Sequence, residues 1–193
     1  MDEHTINDYG KEDVIGRDIS CNLGSLNIVN VMESGKLKDS VHTGVDALTA
    51  VTDGTSIDNA PGVKKANDEL HSIGLGSMNL HGFLAKNLIP YESEQAKDFV
   101  NVFFAAVRYY SIQRSMQIAK ERGITFKDFD KSEYAKGTVF EPYIADDIIP
   151  THTQVYELFD GIELPSVEDW RQLRDDVKKY GMYHGYLSAI APK

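Results

Sequence analysis

Cysteine is almost absent: Cys21 is the only one in 193 residues. One thiol excludes an intrachain disulfide and any Cys-x-x-Cys site, and it fits a reducing, cytoplasmic setting. The six histidines, His4, His42, His71, His81, His152 and His184, are scattered. None has the i, i+4 zinc spacing with a third ligand. No apolar run reaches membrane-spanning length, and the opening Met1-Asp2-Glu3-His4 is too polar and acidic for a signal peptide. Basic residues are outnumbered, 20 against 30 acidic, for a net charge of −10. That balance disfavours non-specific binding to nucleic acid or anionic membranes. There is no basic stripe with interleaved aromatics, no nucleophile elbow, no internal repeat and no low-complexity run.

What is present suits one globular domain with its own core. The stretch Asp18–Asn30 organises it. Ile19, Cys21, Leu23 and Ser25 share one face at a period of two, and Leu26, Ile28 and Val31 continue the apolar run. The pattern predicts a buried strand. Gly24 interrupts it, which points to a bulge or to close approach of another backbone or a ligand. Cys21 has two readings. A lone cysteine often acts as a small hydrophobe in a core. A reactive one needs exposure and a lowered thiol pKa. No Lys or His adjoins it in sequence, and Arg17 lies about 13 Å away along an extended chain.

Residues 1–17 read as an extended lead-in, with Asp8-Tyr9-Gly10 as a turn signal. Asp39 or Ser40 can cap a helix to about Thr52, and Pro61 suits the first turn of one reaching Leu70. Gly74-x-Gly76, with Gly82 beyond, lacks the third glycine of a dinucleotide fingerprint because position 79 is Asn79. It reads as tight packing of a turn entering a helix. Ser93 to Arg122 is a long helix, stopped by Gly123 and apolar on more than one side. Short helices are expected near Phe129–Lys136 and Thr153–Phe159. Asp146-Asp147 reads as solvated surface, since neighbouring residues face different ways. Ser166 caps a helix with Trp170, Leu173 and Val177 inward and Gly181 at its end. Met182–Ala191 then reads as a strand. Alternating strands and helices make the class α/β, helix-rich.

Several segments together resemble the large, catalytic subunit of class Ib ribonucleotide reductase. They are DISCNLGSLNIVNV at 18–31, Ala60-Pro61-Gly62, Asn67, and His71–Leu84 with its Gly74-Leu75-Gly76-Ser77-Met78-Asn79. Glu121-Arg122-Gly123, Phe126-Lys127, Met182-Tyr183-His184 and Ile190-Ala191-Pro192 complete them. The resemblance is colinear over nearly the whole chain, and it is to an internal piece of that subunit. It implies part of a ten-stranded α/β barrel: a lead-in at 1–17 and a barrel segment at 18–193.

The resemblance also implies a role for Cys21, as one of two redox-active thiols that reduce the ribose 2′-carbon and end as a disulfide. The partner cysteine would lie outside this chain. So would the family's radical cysteine with its glutamate and the Pro-Thr-Gly-Ser phosphate loop; the latter would start at Pro192, where the sequence reads Pro192-Lys193. The implied partners are the remaining segments of the large subunit, a radical-generating metal-containing small subunit, a redoxin and a ribonucleoside diphosphate. No cofactor or metal is implied for this segment itself. Such constellations are strongly non-additive, so the chain alone is expected to be inactive. The alternative is a non-catalytic fragment acting as an interaction module, with Cys21 a packing residue. A helical domain of unrelated function rests on composition alone.

Overall fold

The computed structural model describes residues 3–6 and 13–190. The turn expected at Asp8-Tyr9-Gly10 lies outside the described residues, as do Ala191, Pro192 and Lys193. Around that gap Thr5 and Val14 form an antiparallel bridge, and Lys65 Nζ donates to the Ile15 carbonyl at 2.8 Å.

Strand β1 (Asn22–Asn27) pairs in parallel with β2 (Ile73–Met78), in a register that sets Leu23 opposite Gly74 and Ser25 opposite Gly76. A third extended run lies on the far side of β2. The Ile73 and Leu75 amides donate to the Tyr186 and Leu187 carbonyls, and Leu75 bridges Ser188 in parallel. Alternate backbone groups of a strand point to opposite edges, so β2 lies between its two partners.

The expected final strand is therefore this run, with a single bridge rather than a continuous ladder. Its first half is diverted to other partners. Tyr183 N–H donates to the Ser115 carbonyl and Gly185 N–H to the Leu70 carbonyl. Strand β2 corrects the turn expected at Gly74-x-Gly76. Its Ile-Gly-Leu-Gly-Ser-Met has no alternation of polar and apolar side chains, so period-two reading passes over it.

The apolar run after β1 is likewise a helix, α1 (Ile28–Ser34). Asn27 caps it by accepting from Val29 N–H, and Gly35 closes it in the left-handed region at φ 65°. Helix α2 (Leu37–Gly54) has its cap position at Lys36, three or four residues before the expected Asp39 or Ser40, and Lys36 makes no side-chain cap bond. Helix α3 (Pro61–Leu70) starts on its proline as expected. Helix α4 (Leu80–Lys86) follows β2.

Helix α5 (Glu94–Arg122) is the spine. Ser93 Oγ accepts from Ala96 N–H at 3.1 Å and Gly123 ends the helix at φ 67°. At 1.5 Å per residue it is about 44 Å long. Phe99, Phe103, Ala106 and Tyr110 are buried on one side and Val102, Val107, Ile112 and Met116 around the rest. Helices α6 (Glu133–Lys136), α7 (Glu141–Ala145) and α8 (Thr153–Leu158) are short. In α9 (Val167–Tyr180) Ser166 and Asp169 form a reciprocal capping box.

The layers are the sheet, then α2 across one of its faces, then α5, then α9. Phe83, Phe99, Phe103 and Phe159 stack with ring centroids 4.6 to 5.6 Å apart. Trp170 is buried between Tyr143 at 4.2 Å and Tyr109 at 5.0 Å.

Candidate functional site

The two faces of the sheet differ. Asn22, Gly24 and Leu26 turn toward α2. A Cβ on Gly24 would lie 3.3 Å from Leu48 Cδ2, so this glycine allows helix and strand to approach, within regular pairing rather than a bulge. Ile19, Cys21, Leu23 and Ser25 share the other face, as their spacing predicts. That face is open: Ile19 is 69% and Leu23 53% exposed, and Cys21 and Ser25 are exposed too. The expected buried strand is buried on one side only. Periodicity sorts side chains onto faces; it does not say which face is covered.

Cys21 stands one residue before β1, and both of its neighbours are tied down. Ser20 Oγ donates to Asn67 Oδ1 at 3.2 Å. Asn22 Nδ2 donates to Thr52 Oγ1 at 2.8 Å. Asn67 Nδ2 in turn donates to the Thr52 carbonyl at 3.1 Å, in a site that buries both Asn67 and Thr52. The backbone at Cys21 is thus pinned to the ends of α2 and α3 while its thiol faces outward. Sequence spacing gives no hint of this arrangement, although Asn67 belongs to the resembling segments.

Gly74 and Gly76 put their missing side chains on the same open face. A Cβ on Gly74 would lie 2.8 Å from Ala189 Cβ and 3.1 Å from Cys21 Sγ, and would press on Leu23. One on Gly76 would meet the Ala189 carbonyl oxygen. The expectation of tight packing here is met, between strands rather than at a turn. The glycines let three segments distant in sequence converge on the thiol.

The thiol is not electrostatically activated. Desolvation against the sheet pushes its pKa up from the ordinary value, with no cation to oppose it. Arg17 is engaged elsewhere, 3.5 Å from Glu69 and 3.4 Å from Asp128. At neutral pH Cys21 is a protonated S–H, suited to delivering hydrogen rather than to attacking as a thiolate.

His184 proves to be a core residue with no exposure. The Thr49 hydroxyl donates to the Val45 carbonyl at 2.6 Å, so His184 Nε2–H donates to Thr49 Oγ1 at 2.9 Å. Nδ1 then accepts from Ser115 Oγ, also at 2.9 Å. Burial first, and then the charges of His71 and Arg122, push its pKa down to about 3. It is a neutral clamp joining α2 and α5 to the third run. Beside it Tyr183 donates to Asp53 at 2.8 Å and accepts from Arg122 at 2.7 Å. Among the described residues no three of His, Cys, Asp and Glu converge to hold a metal ion. No helix among them is long and apolar enough to cross a membrane.

Comparison with known proteins agrees with this arrangement. The family described as ribonucleotide reductase, barrel domain, matches residues 3–193. Ribonucleoside-diphosphate reductase NrdEB subunit alpha of Bacillus subtilis strain 168 is 55% identical over 185 residues, 96% of this chain and 17% of its own length. The same organism's ribonucleoside-diphosphate reductase subunit alpha is 52% identical over 185 residues, again 96% of this chain and 26% of its own. The subunit alpha of Mycoplasma genitalium is 44% identical over 184 residues, 92% of this chain and 25% of its own. The chain thus spans between a sixth and about a quarter of these relatives. With a match along almost its whole length and the resemblance of residues 18–192 borne out, the chain belongs to the ribonucleotide reductase barrel-domain family.

Proposed function

We propose that this chain serves as a segment of a ribonucleoside-diphosphate reductase alpha subunit, with Cys21 as one of its two reducing thiols. The observation that carries this reading is the placement of Cys21. It is the only thiol, its two neighbours are fixed by Asn67 and Thr52, and it faces the open side of the sheet.

The chemistry balances with a second thiol. Replacing the ribose 2′-hydroxyl by hydrogen and releasing water takes up two hydrogens. Two S–H groups supply them and become one disulfide. Cys21 accounts for one; the other belongs to a cysteine outside residues 1–193. A radical to open the sugar 3′-carbon, and a base for its hydroxyl, also come from outside. A small radical-generating subunit and a redoxin that re-reduces the disulfide are the corresponding partners, and a ribonucleoside diphosphate is the substrate. The division into a lead-in at 1–17 and a barrel segment at 18–193 belongs to the same proposal. The isolated chain is inactive on this reading, because one thiol cannot close the cycle.

The test is diphosphate reduction by the chain combined with separately expressed flanking segments of the subunit and a class Ib small subunit. Activity is expected only with every piece present, and Cys21→Ser should abolish turnover. Undiminished turnover with Cys21→Ser would remove the thiol from the reaction.

A further inference from the structure

One face of the last turns of α2 holds two separate parts of the molecule. Thr49, Thr52 and Asp53 share it at i, i+3 and i+4. Thr49 Oγ1 accepts from His184 and Asp53 accepts from the Tyr183 hydroxyl, which fixes the third extended run. Thr52 takes the Cys21 strand. Its hydroxyl oxygen accepts from Asn22 Nδ2 at 2.8 Å, and its carbonyl accepts from Asn67 Nδ2 at 3.1 Å. That carbonyl is among the last four of the helix, which lack the regular helical partner. Asn67 reaches Ser20 with its amide oxygen.

The bonds flank the thiol on both sides. Ser20 and Asn22 turn inward to Asn67 and Thr52, whereas Ile19, Cys21 and Leu23 turn outward and are exposed. Burial on the open face therefore holds this end of the strand weakly. The grip comes from directional hydrogen bonds on the side opposite the sulfur. Asn67 and Thr52 are both buried, so those bonds meet little competition from water. The third run closes on the same place, with Ala189 and the Cys21 sulfur both beside the space over Gly74. Disulfide formation needs such fixing. It joins Cα atoms about 4.4–6.8 Å apart, and a cysteine has a single side-chain torsion with which to adjust.

We infer that Thr52 and Asn67 are positioning residues for the reducing thiol. They act through Asn22 and Ser20, and the turn of α2 that carries Thr49, Thr52 and Asp53 sets the place of Cys21 against the third run. The inference rests on reading Cys21 as one of the two reducing thiols. Both residues lie behind the strand and hold the Cys21 backbone where a second thiol can reach its sulfur. A misplacement of about 1 Å can slow a reaction about a hundredfold. The effect falls on the step that forms the disulfide, so it lowers kcat and leaves the KM for the diphosphate unchanged.

The experiment puts residues 1–193 into the Bacillus subtilis subunit alpha in exchange for its matching segment, and measures diphosphate reduction with a class Ib small subunit. Thr52→Val keeps the branched shape and removes the acceptor of Asn22, so it should lower kcat at least tenfold with KM within twofold. Thr52→Ser keeps the hydroxyl and should return kcat to within threefold of the parent. Ser20→Ala should lower kcat several-fold, and it carries the test if Thr52→Val fails to fold. Val155→Ala empties part of the core at α8 and lowers stability away from the sheet, so it should leave kcat unchanged. Parental kcat in both Thr52→Val and Ser20→Ala, in a chimera that Cys21→Ser inactivates, overturns the positioning and leaves the thiol's role intact. A loss that Val155→Ala reproduces, or that Thr52→Ser does not reverse, assigns the effect to stability and overturns it too. A chimera that stays active with Cys21→Ser, or is inactive with the parental sequence, overturns the reading on which the inference rests.

Discussion

The two faces of one small sheet follow different rules. Against α2 the side chains interlock: Gly24 admits Leu48, Leu75 presses on Gly44, and Asn22 hydrogen-bonds to Thr52. On the other face Ile19, Cys21, Leu23 and Ser25 are exposed, and Ala189 crosses toward them. The closed face holds the fold together. The open face carries the thiol and contributes little burial energy. The packed face and the exposed thiol are thereby separated by one strand's thickness, so each can be changed with limited effect on the other.

That separation can be broken most forcefully from the closed side. Trp170→Ala leaves a void between Tyr109, Tyr143 and Phe140, and it should cost about 3–5 kcal/mol in a urea titration. Leu48→Ala should cost about 2–5 kcal/mol, whereas Leu23→Ala on the open face should cost well under half as much. Equal losses from the two leucines would erase the distinction.

His184 adds a pH dependence to the closed side. Its folded pKa of about 3 lies below the ordinary histidine value. Its contribution to stability is therefore complete above about pH 6.5 and is lost as pH falls toward 3, because the unfolded chain takes up a proton that the native one refuses. Between pH 7 and 5 this residue alone should remove about 2 kcal/mol. His42 and His71 are also held low by burial and act in the same direction. Unfolding titrations at the two pH values, compared with His184→Gln, isolate the one histidine; an unchanged slope in the variant would refute its share.

Asn67→Ala sharpens the comparison at the boundary. It frees both Ser20 and the Thr52 carbonyl and should cost about 1–3 kcal/mol. It should also raise the reactivity of Cys21 toward a bulky maleimide several-fold, by loosening the backbone beneath it. Cys21→Ser is the smallest change, within about 0.5 kcal/mol of the parent, since an exposed position away from the packed core tolerates substitution.

The sequence disclosed the helices whose ends carry their own chemistry. Pro61 starts α3, Ser93 and Gly123 bracket α5, and the Ser166–Asp169 box opens α9. Those signals are local, so neighbours are not needed to read them. The start of α2 was misplaced because Lys36 offers no cap. Helix α1 and strand β2 escaped for non-local reasons. An apolar Ile28-Val29-Asn30-Val31 suits a strand as well as a helix until Asn27 is seen capping it. Two of the three β2 residues on its Cys21 face, Gly74 and Gly76, are glycine because other segments occupy that space. Cys21 itself was found from its resemblance and its solitude. Its supports, Asn67, Thr52 and Gly74, come together only through tertiary packing.

The parallel pairing of all three extended segments also sets an order in time. Gly24 and Leu75 meet across about half the sequence separation that divides Leu75 from Ser188. By loop-closure entropy the longer connection costs only about 0.6 kcal/mol more, so the finished molecule bears little penalty. Kinetically the difference is larger, for α5 and α9 lie within the longer span and the third run is made only after both. The third run therefore joins helices and a strand pair that are already in place beside it.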